Sequence, residues 1–554
     1  MVYRTNLGAL GKSFQPTVQA MQIPASTGGI NSLMSLGSMP AEDCIYTYNL
    51  MPSEYGMELR KGWREWAVNI GGAGTPEEVR SMVTYDGVEA DHTTDRLFAM
   101  TSTGIYNVTL FNTDDPAPVL TWPITGGGKA GFGTFTNFSN DANESFVYFT
   151  DTQNGLYRYE ASIDTWSAVT GLTVANDLGE QVPWGLEPIT LFVTAHKLRL
   201  WLTVDDSSDA WYLPIESGAG EVFKFTFGSK FQHGGYLMGL WSWSYETTAG
   251  IENFLVAISR SGDVLVYKGS DPTQVDWNLV GQYYVGEVTN SRNIVVNYGA
   301  DMYVLSAFGV TAMSDLIKGK EVYNSGPSVS AKVAKLLRGI VRDNLDSKEW
   351  SLVVDSSNGF LQVVIPYTLG QEQFALQLTQ NLLTNAWGFW RGVPILSSAT
   401  LESEYYIGTK SGQILIYGGV VDGLLLDGTP GAPVEFETLT AFNPGENPSQ
   451  FKRVGYIRTV GILEGEATVN TAPIYDFRIQ ASARDPGIVP SSDYSLWDSG
   501  VWSQSVWNTS VAGVYVVIGG LGMGRVVAVS IKGSATARII VTGWDLMYTR
   551  GGLL

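Results

Sequence analysis

Cysteine occurs once in this chain, as Cys44, and histidine three times, as His92, His196 and His233. A single thiol excludes an intrachain disulfide framework and the metal sites built from several cysteines, and Cys44 is expected to be buried and inert. Three scattered histidines form neither a helical His pair nor a nearby histidine–carboxylate metal triad. Long apolar runs are missing too. The longest uncharged one, Val511 to Gly524, has 14 residues and is rich in glycine, too short to span a bilayer. Cations are scarce, with 34 Lys and Arg against 54 Asp and Glu and a formal charge of -20. The average surface therefore repels a phosphate backbone, which argues against sequence-specific nucleic-acid binding. The opening Met1 to Asn6 lacks the basic-then-apolar order of a secretory signal, so synthesis in the cytoplasm is expected.

Glycine is plentiful, at 63 of 554 residues, aromatics make up 12% and hydrophobic residues 44%. With little helical periodicity, this composition predicts a folded, mainly β chain of short strands and turns. One phrase recurs between Leu97 and Tyr417: a short apolar strand, a tight turn that usually ends in Gly, and a second aromatic or branched strand. Leu97–Met100 turns at Gly104, Phe146–Phe149 at Gly155 and Leu198–Leu202 through Asp205 to Asp209 without a glycine. Phe254–Ala257 turns at Gly262, Tyr303–Leu305 at Gly309, Ser351–Val354 at Gly359 and Tyr405–Ile407 at Gly412. A beat of roughly 50 residues belongs to propeller blades rather than to a sandwich, whose turns come every 8 to 12 residues. The expected fold is a β-propeller of about seven blades, with six to eight possible. It spans 79–427 between an extended segment, 1–78, laid over the scaffold and an antiparallel β-sandwich-like domain, 428–554.

One stretch breaks the β pattern. From Ser328 to Leu345, Val329, Val333, Leu336, Leu337 and Ile340 fall on one helical face, and Lys332, Lys335, Arg338 and Arg342 on the other. Two readings remain open for this amphipathic helix: its cations stay solvated while its apolar face seals a gap, or they dock an acidic neighbouring subunit. In the terminal domain Trp497, Trp502 and Trp507 recur at five-residue spacing, as packing at the edge of a core or as interface anchors.

Catalytic signals are thin. Asp91-His92 with Asp95 reads as a hydrated loop, and Asp205-Asp206 as a pair of solvent-facing turn acids. Gly126-Gly127-Gly128-Lys129 lacks the spacing and the following Ser or Thr of a phosphate loop and reads as a turn. No G-x-S-x-G elbow occurs. The sialidase Asp-box, S-x-D-x-G-x-T-W, is only faintly echoed by Ser162-Ile163-Asp164-Thr165-Trp166. No catalytic residue, bound metal or cofactor is expected, and the chain is read as a non-enzyme.

Ile23-Pro24 through Gly28-Gly29-Ile30-Asn31, Met39-Pro40, Asn49-Leu50-Met51-Pro52, Glu58-Leu59-Arg60-Lys61-Gly62-Trp63 and Trp66-Ala67 resemble the start of the tail nozzle, or tail tubular protein B-like, family of short-tailed bacteriophages. The hairpin from Arg96-Leu97-Phe98 to Gly104-Ile105-Tyr106 and the closing Gly551-Gly552-Leu553 are similar to that family as well. The resemblance implies a structural virion protein of the tail. It would form a ring, usually a hexamer, that extends the DNA ejection channel below the portal and adaptor ring and contacts fibres or spikes. Genomic DNA would pass through its lumen without sequence-specific binding, and no membrane insertion is implied. Six chains of charge -20 carry -120 in all, and acidic lumen walls would keep DNA from sticking. Competing readings are a carbohydrate-binding propeller of the virion and a propeller glycosidase.

Overall fold

The structure is a computed structural model that describes residues 18–550 apart from 88–91, 141, 143, 177–178, 185–189, 248–249, 321, 323–325, 466, 480–486, 490–511, 514–515 and 520–521. Its architecture is mainly β. Two compact units cut across the three segments expected from the sequence. One gathers residues 34–59 with 435–554 and the first 29 residues; the other holds 30–33 and 60–434.

In the larger unit the chain folds into antiparallel sheets one after another. Sheet one comprises Ser81–Tyr85, Arg96–Met100, Gly104–Asn107 and Pro118–Thr121; sheet two, Gly133–Ser139, Ser145–Asp151, Gly155–Glu160 and Thr165–Ala168. Sheet three is Thr190–His196, Arg199–Val204, Asp209–Tyr212 and Phe223–Thr226; sheet four, Leu237–Thr247, Gly250–Ser259, Asp263–Lys268 and Asn278–Tyr284. Sheet five has three strands, Val295–Tyr298, Asp301–Ser306 and Gly309–Ala312. Sheet six, Ser351–Asp355, Phe360–Val364, Leu376–Asn381 and Trp387–Arg391, is a four-strand stretch of a longer, 16-stranded sheet that also holds the strands of the seventh set. The seventh set, Ser397–Leu401, Glu404–Gly408 and Ile414–Tyr417, takes its fourth strand from far upstream: Trp63–Val68 pairs antiparallel with Ile414–Tyr417.

Buried clusters join neighbouring sheets face to face. Met82, Leu97 and Tyr106 of sheet one meet Tyr406 and Ile416 of sheet seven; Phe98 and Ile105 meet Phe149 and Tyr159 of sheet two; Trp201 and Tyr212 of sheet three meet Leu255 and Tyr267 of sheet four. Burial on both faces explains runs such as Phe146–Phe149 and Leu255–Ile258, which do not alternate as half-solvated strands do. First strands, or the residues just before them, also bond to one another. Gly133 N donates to Ser81 Oγ (3.1 Å), Val193 N to Thr134 Oγ1 (3.2 Å), Asn297 Nδ2 to the Ser242 carbonyl (3.2 Å) and Leu352 N to the Asn293 carbonyl (2.8 Å). Ser397 Oγ donates to the Val79 carbonyl (2.7 Å), which brings sheet seven back to sheet one.

The recurring hairpins are present, and their start matters as much as the glycine at their end. In five of them a fully buried Thr101, Asp151, Ser259, Ser306 or Thr409 accepts a backbone N–H of the turn, as Asp151 Oδ1 does from Gln153 N (2.8 Å) and Thr409 Oγ1 from Gln413 N (3.0 Å). These side chains satisfy donors that the ladder leaves orphaned. Gly262 sits at φ 94°, where an L side chain is strained. The hairpin of sheet six is displaced by one strand: Asp355 to Gly359 joins its first strand to its second, whereas the other hairpins join second to third.

Residues expected to lie over the scaffold are built into it. Val18–Pro24 pairs with Ile539–Arg550 in the smaller unit, which also pairs with Lys452–Leu463; Asp43–Tyr48 pairs with residues 437–440. Cys44 is fully buried there and unbridged. In the larger unit Arg60, its side chain 0% exposed, clamps the entry to the closing strand. Its guanidinium donates to both oxygens of Asp422 (2.8 and 2.7 Å) and to the carbonyls of Lys61 and Arg391 (each 2.9 Å). A Cβ on Gly62 would collide with the Val421 carbonyl.

Two outcomes follow from this packing. Arg60→Met leaves the Asp422 carboxylate without its partner, and a loss of about 3 to 5 kcal/mol in urea unfolding is expected; a loss under about 1 kcal/mol would show that the clamp does not hold the strand. His196 is 2% exposed, with Nδ1 on Ser242 Oγ (2.9 Å), and burial first, then Lys197, lowers its pKa from 6.5 to about 4. The unfolded chain then binds a proton that the folded one refuses, so stability is intact above pH 6.5 and falls as pH drops toward 4. His196→Gln should flatten that part of a stability–pH profile, and an unaltered slope would exclude His196 as its source.

Candidate functional site

The Ser328–Leu345 stretch is helical over a shorter span than its periodicity predicts. Ala331–Val333 forms a 3-10 turn and Ala334–Asp343 an α-helix. Residues 328–330 serve sheet five instead: Ser328 Oγ accepts from Ala312 N (3.0 Å), Ser330 Oγ accepts from Val310 N (2.9 Å), and Val329 N donates to the Val310 carbonyl (3.2 Å). Backbone donors on a three-stranded edge outcompete another helical turn. Val333, Leu337 and Val341 are buried, while Leu336 and Ile340 are half-buried. Lys335, Arg338 and Arg342 are exposed; Arg338 also lies over the Phe308 ring at 5.1 Å. Lys332 is half-buried, and its carbonyl accepts from Ser32 N and Oγ (2.8 and 3.0 Å). Trp497, Trp502 and Trp507 lie outside the described residues.

The loop around His92 does draw side chains together. Ligand atoms of Asp86, His92 and Asp95 lie within 4.8 Å of one another. Asp95 is buried and already engaged, accepting from Gly87 N (2.7 Å) and pairing with His92 Nδ1 (2.8 Å), a bond that raises the His92 pKa. Its geometry is that of a turn pinned by its own residues.

A second gathering, which the sequence does not announce, lies where loops of sheets one to six converge. Lys129, Asp205, Asp206, Arg292 and Lys348 surround a cavity of about 190 Å³, together with Tyr236, Asn290 and Asn293. Phe132, Gly133, Asn293 and Lys348 also line an adjoining cavity of about 320 Å³ that reaches Arg80 and Glu349. The Gly126–Lys129 turn, expected only as a turn, delivers Lys129 because its carbonyls are tied down. Gly127 O accepts from Arg80 (2.7 Å) and Lys129 O from Thr152 Oγ1 (2.6 Å).

Lys129 Nζ pairs with Asp205 at 3.0 Å beside the cavity, with both side chains still open to solvent and Asp206 exposed. Arg292 is half-buried, donates to the Met238 carbonyl and stacks over Tyr236 at 5.9 Å. Burial, ahead of the Lys129 and Arg292 charges, lowers the pKa of Lys348, and Asp205 opposes that shift. Nearby, Lys410 is 8% exposed and held by Glu349 (2.7 Å) and the Tyr367 carbonyl (2.6 Å). No spacing motif marks these residues, because loops far apart in sequence supply them.

No protein-family model matches this chain, and no curated protein matches it in sequence. Among solved structures it is similar to the computationally designed Ika8 protein, at 9% identity and a TM-score of 0.34, covering 64% of this chain and 99% of that one. It is also similar to the extracellular domain of a hybrid two component system from B. thetaiotaomicron, at 10% identity and a TM-score of 0.39, covering 78% of this chain and 46% of that one. Both likenesses are too remote to carry a function across.

For the basic helix, the double substitution Lys335→Glu with Arg338→Glu should leave the melting temperature nearly unchanged, since both side chains are exposed. If the helix docks an acidic neighbour, the same variant loses self-association in sedimentation; unaltered association would assign the stripe to solvent.

Proposed function

We propose that the chain is a structural subunit of a phage tail, the nozzle ring that extends the DNA ejection channel below portal and adaptor and carries fibres or spikes. The observation that carries this reading is the use made of the resembling segment. Arg60, Gly62, Trp63 and Trp66 of that phrase form the buried clamp and closing strand, so the phrase encodes a construction element rather than a surface ornament. On this reading the cyclic run of sheets is a propeller of about seven blades closed by an upstream strand, a rigid block suited to bearing load.

Charge supports the same role. A subunit at -20 builds a ring whose walls repel the passing phosphate backbone, which favours ejection without sticking. Partners would be identical subunits in a hexamer, the adaptor ring and fibre or spike proteins, with the protein located in the virion tail. A carbohydrate-binding propeller is the second reading, favoured by the cavity at the loop convergence.

Mass photometry with negative-stain imaging of the purified full chain tests the proposal. A channelled ring near 361 kDa, six copies of a 60.2 kDa chain, is expected. A species that stays at 60.2 kDa at every concentration and binds glycans would overturn the ring in favour of the second reading.

A further inference from the structure

In a chain where acids outnumber cations by 54 to 34, the 190 Å³ cavity reverses the balance: Lys129, Arg292 and Lys348 line it against Asp205 and Asp206. Of the three cations only Lys129 has an ion-pair partner among the described residues. Arg292 spends one nitrogen on the Met238 carbonyl and thioether, and no described carboxylate lies within ion-pair distance of it or of Lys348. Asp205 and Asp206 act on these partly buried cations only from beyond ion-pair distance, and the mutual repulsion of the cations adds to the cost of burying them. A negatively charged ligand would relieve both.

The surrounding frame is already set. Tyr236 OH donates to Asn290 Oδ1 (3.3 Å), Asn290 N donates to the Leu345 carbonyl (3.0 Å), and the Asn293 carbonyl accepts from Leu352 N (2.8 Å). A frame held in place before a ligand arrives reduces the ordering cost of binding. Charge limits the guest. Asp206, at the same wall, disfavours a second negative group.

We propose that this cavity binds a small ligand bearing one oxyanion group, a carboxylate or a phosphate, gripped by Arg292 and Lys348, with Lys129 drawn from Asp205 as a third donor. Arginine suits the role because its planar fork matches both oxyanions in a bidentate bond. The site depends on the cavity alone and not on assembly into a ring.

Isothermal titration of the full chain at low salt, with inorganic phosphate, glucuronate and uncharged glucose as separate probes, tests it. Phosphate or glucuronate should bind and glucose should not; which anion binds distinguishes a phosphate ligand from a carboxylate one. Lys348→Gln should weaken binding at least tenfold, the scale of one charge-assisted hydrogen bond. Asp206→Asn should tighten it, an outcome that a purely structural role would not produce. Both positions retain solvent exposure, so these variants keep the test valid if Arg292→Gln fails to fold. No anion binding at about 10 mM, glucose binding equal to glucuronate, or affinity unmoved in both Lys348→Gln and Asp206→Asn would overturn the proposal.

Discussion

The larger unit depends on a single closure. Ile414–Tyr417 is an edge until Trp63–Val68 arrives, and an unpaired edge with both faces apolar would template aggregation. Holding the two ends of a connection more than three hundred residues long costs loop entropy, and the Arg60–Asp422 pair offsets it locally. Its four hydrogen bonds anchor the buried guanidinium at the strand entry, and Glu65 repeats the device further in, accepting from Gln413 (2.6 Å) and Leu426 N (3.0 Å). Each sheet then has a neighbour against which to bury its second face.

Closure also decides where loops meet. Turns at Thr101, Asp151, Ser259 and Thr409 are pinned by buried side chains that accept their backbone N–H groups. Lys129, Asp205, Arg292 and Lys348 meet at one cavity, and the half-buried Arg292 and Lys348 act on one another where screening is weaker than at the surface. The cationic recess stands out in a chain whose acids outnumber its cations by 54 to 34.

Part of this fold is legible in the order of residues alone. Repeated apolar strands ending in glycine mark the hairpins, because a strand buried on both faces reads as a short continuous apolar run and a tight turn selects residues free of a Cβ. The amphipathic stripe of Val333, Leu337, Lys335, Arg338 and Arg342 likewise shows in its periodicity. Its length does not, since the hydroxyls of Ser328 and Ser330 are claimed by sheet five, a competition invisible in a one-dimensional pattern. Nor does the place of strands such as Val18–Pro24 and Trp63–Val68, whose partners lie hundreds of residues away.

The amino-acid sequence by itself determined the β character, the roughly fifty-residue beat, the lone buried thiol and the acidic surface, because each follows from local periodicity or composition. Only the tertiary structure decided that an upstream strand completes the last sheet and that a glycine-rich turn presents Lys129 to a shared cavity. It also decided that Asp205 pairs with Lys129. Those outcomes are set by long-range pairing and by the desolvation that convergence brings, and neither leaves a spacing to read.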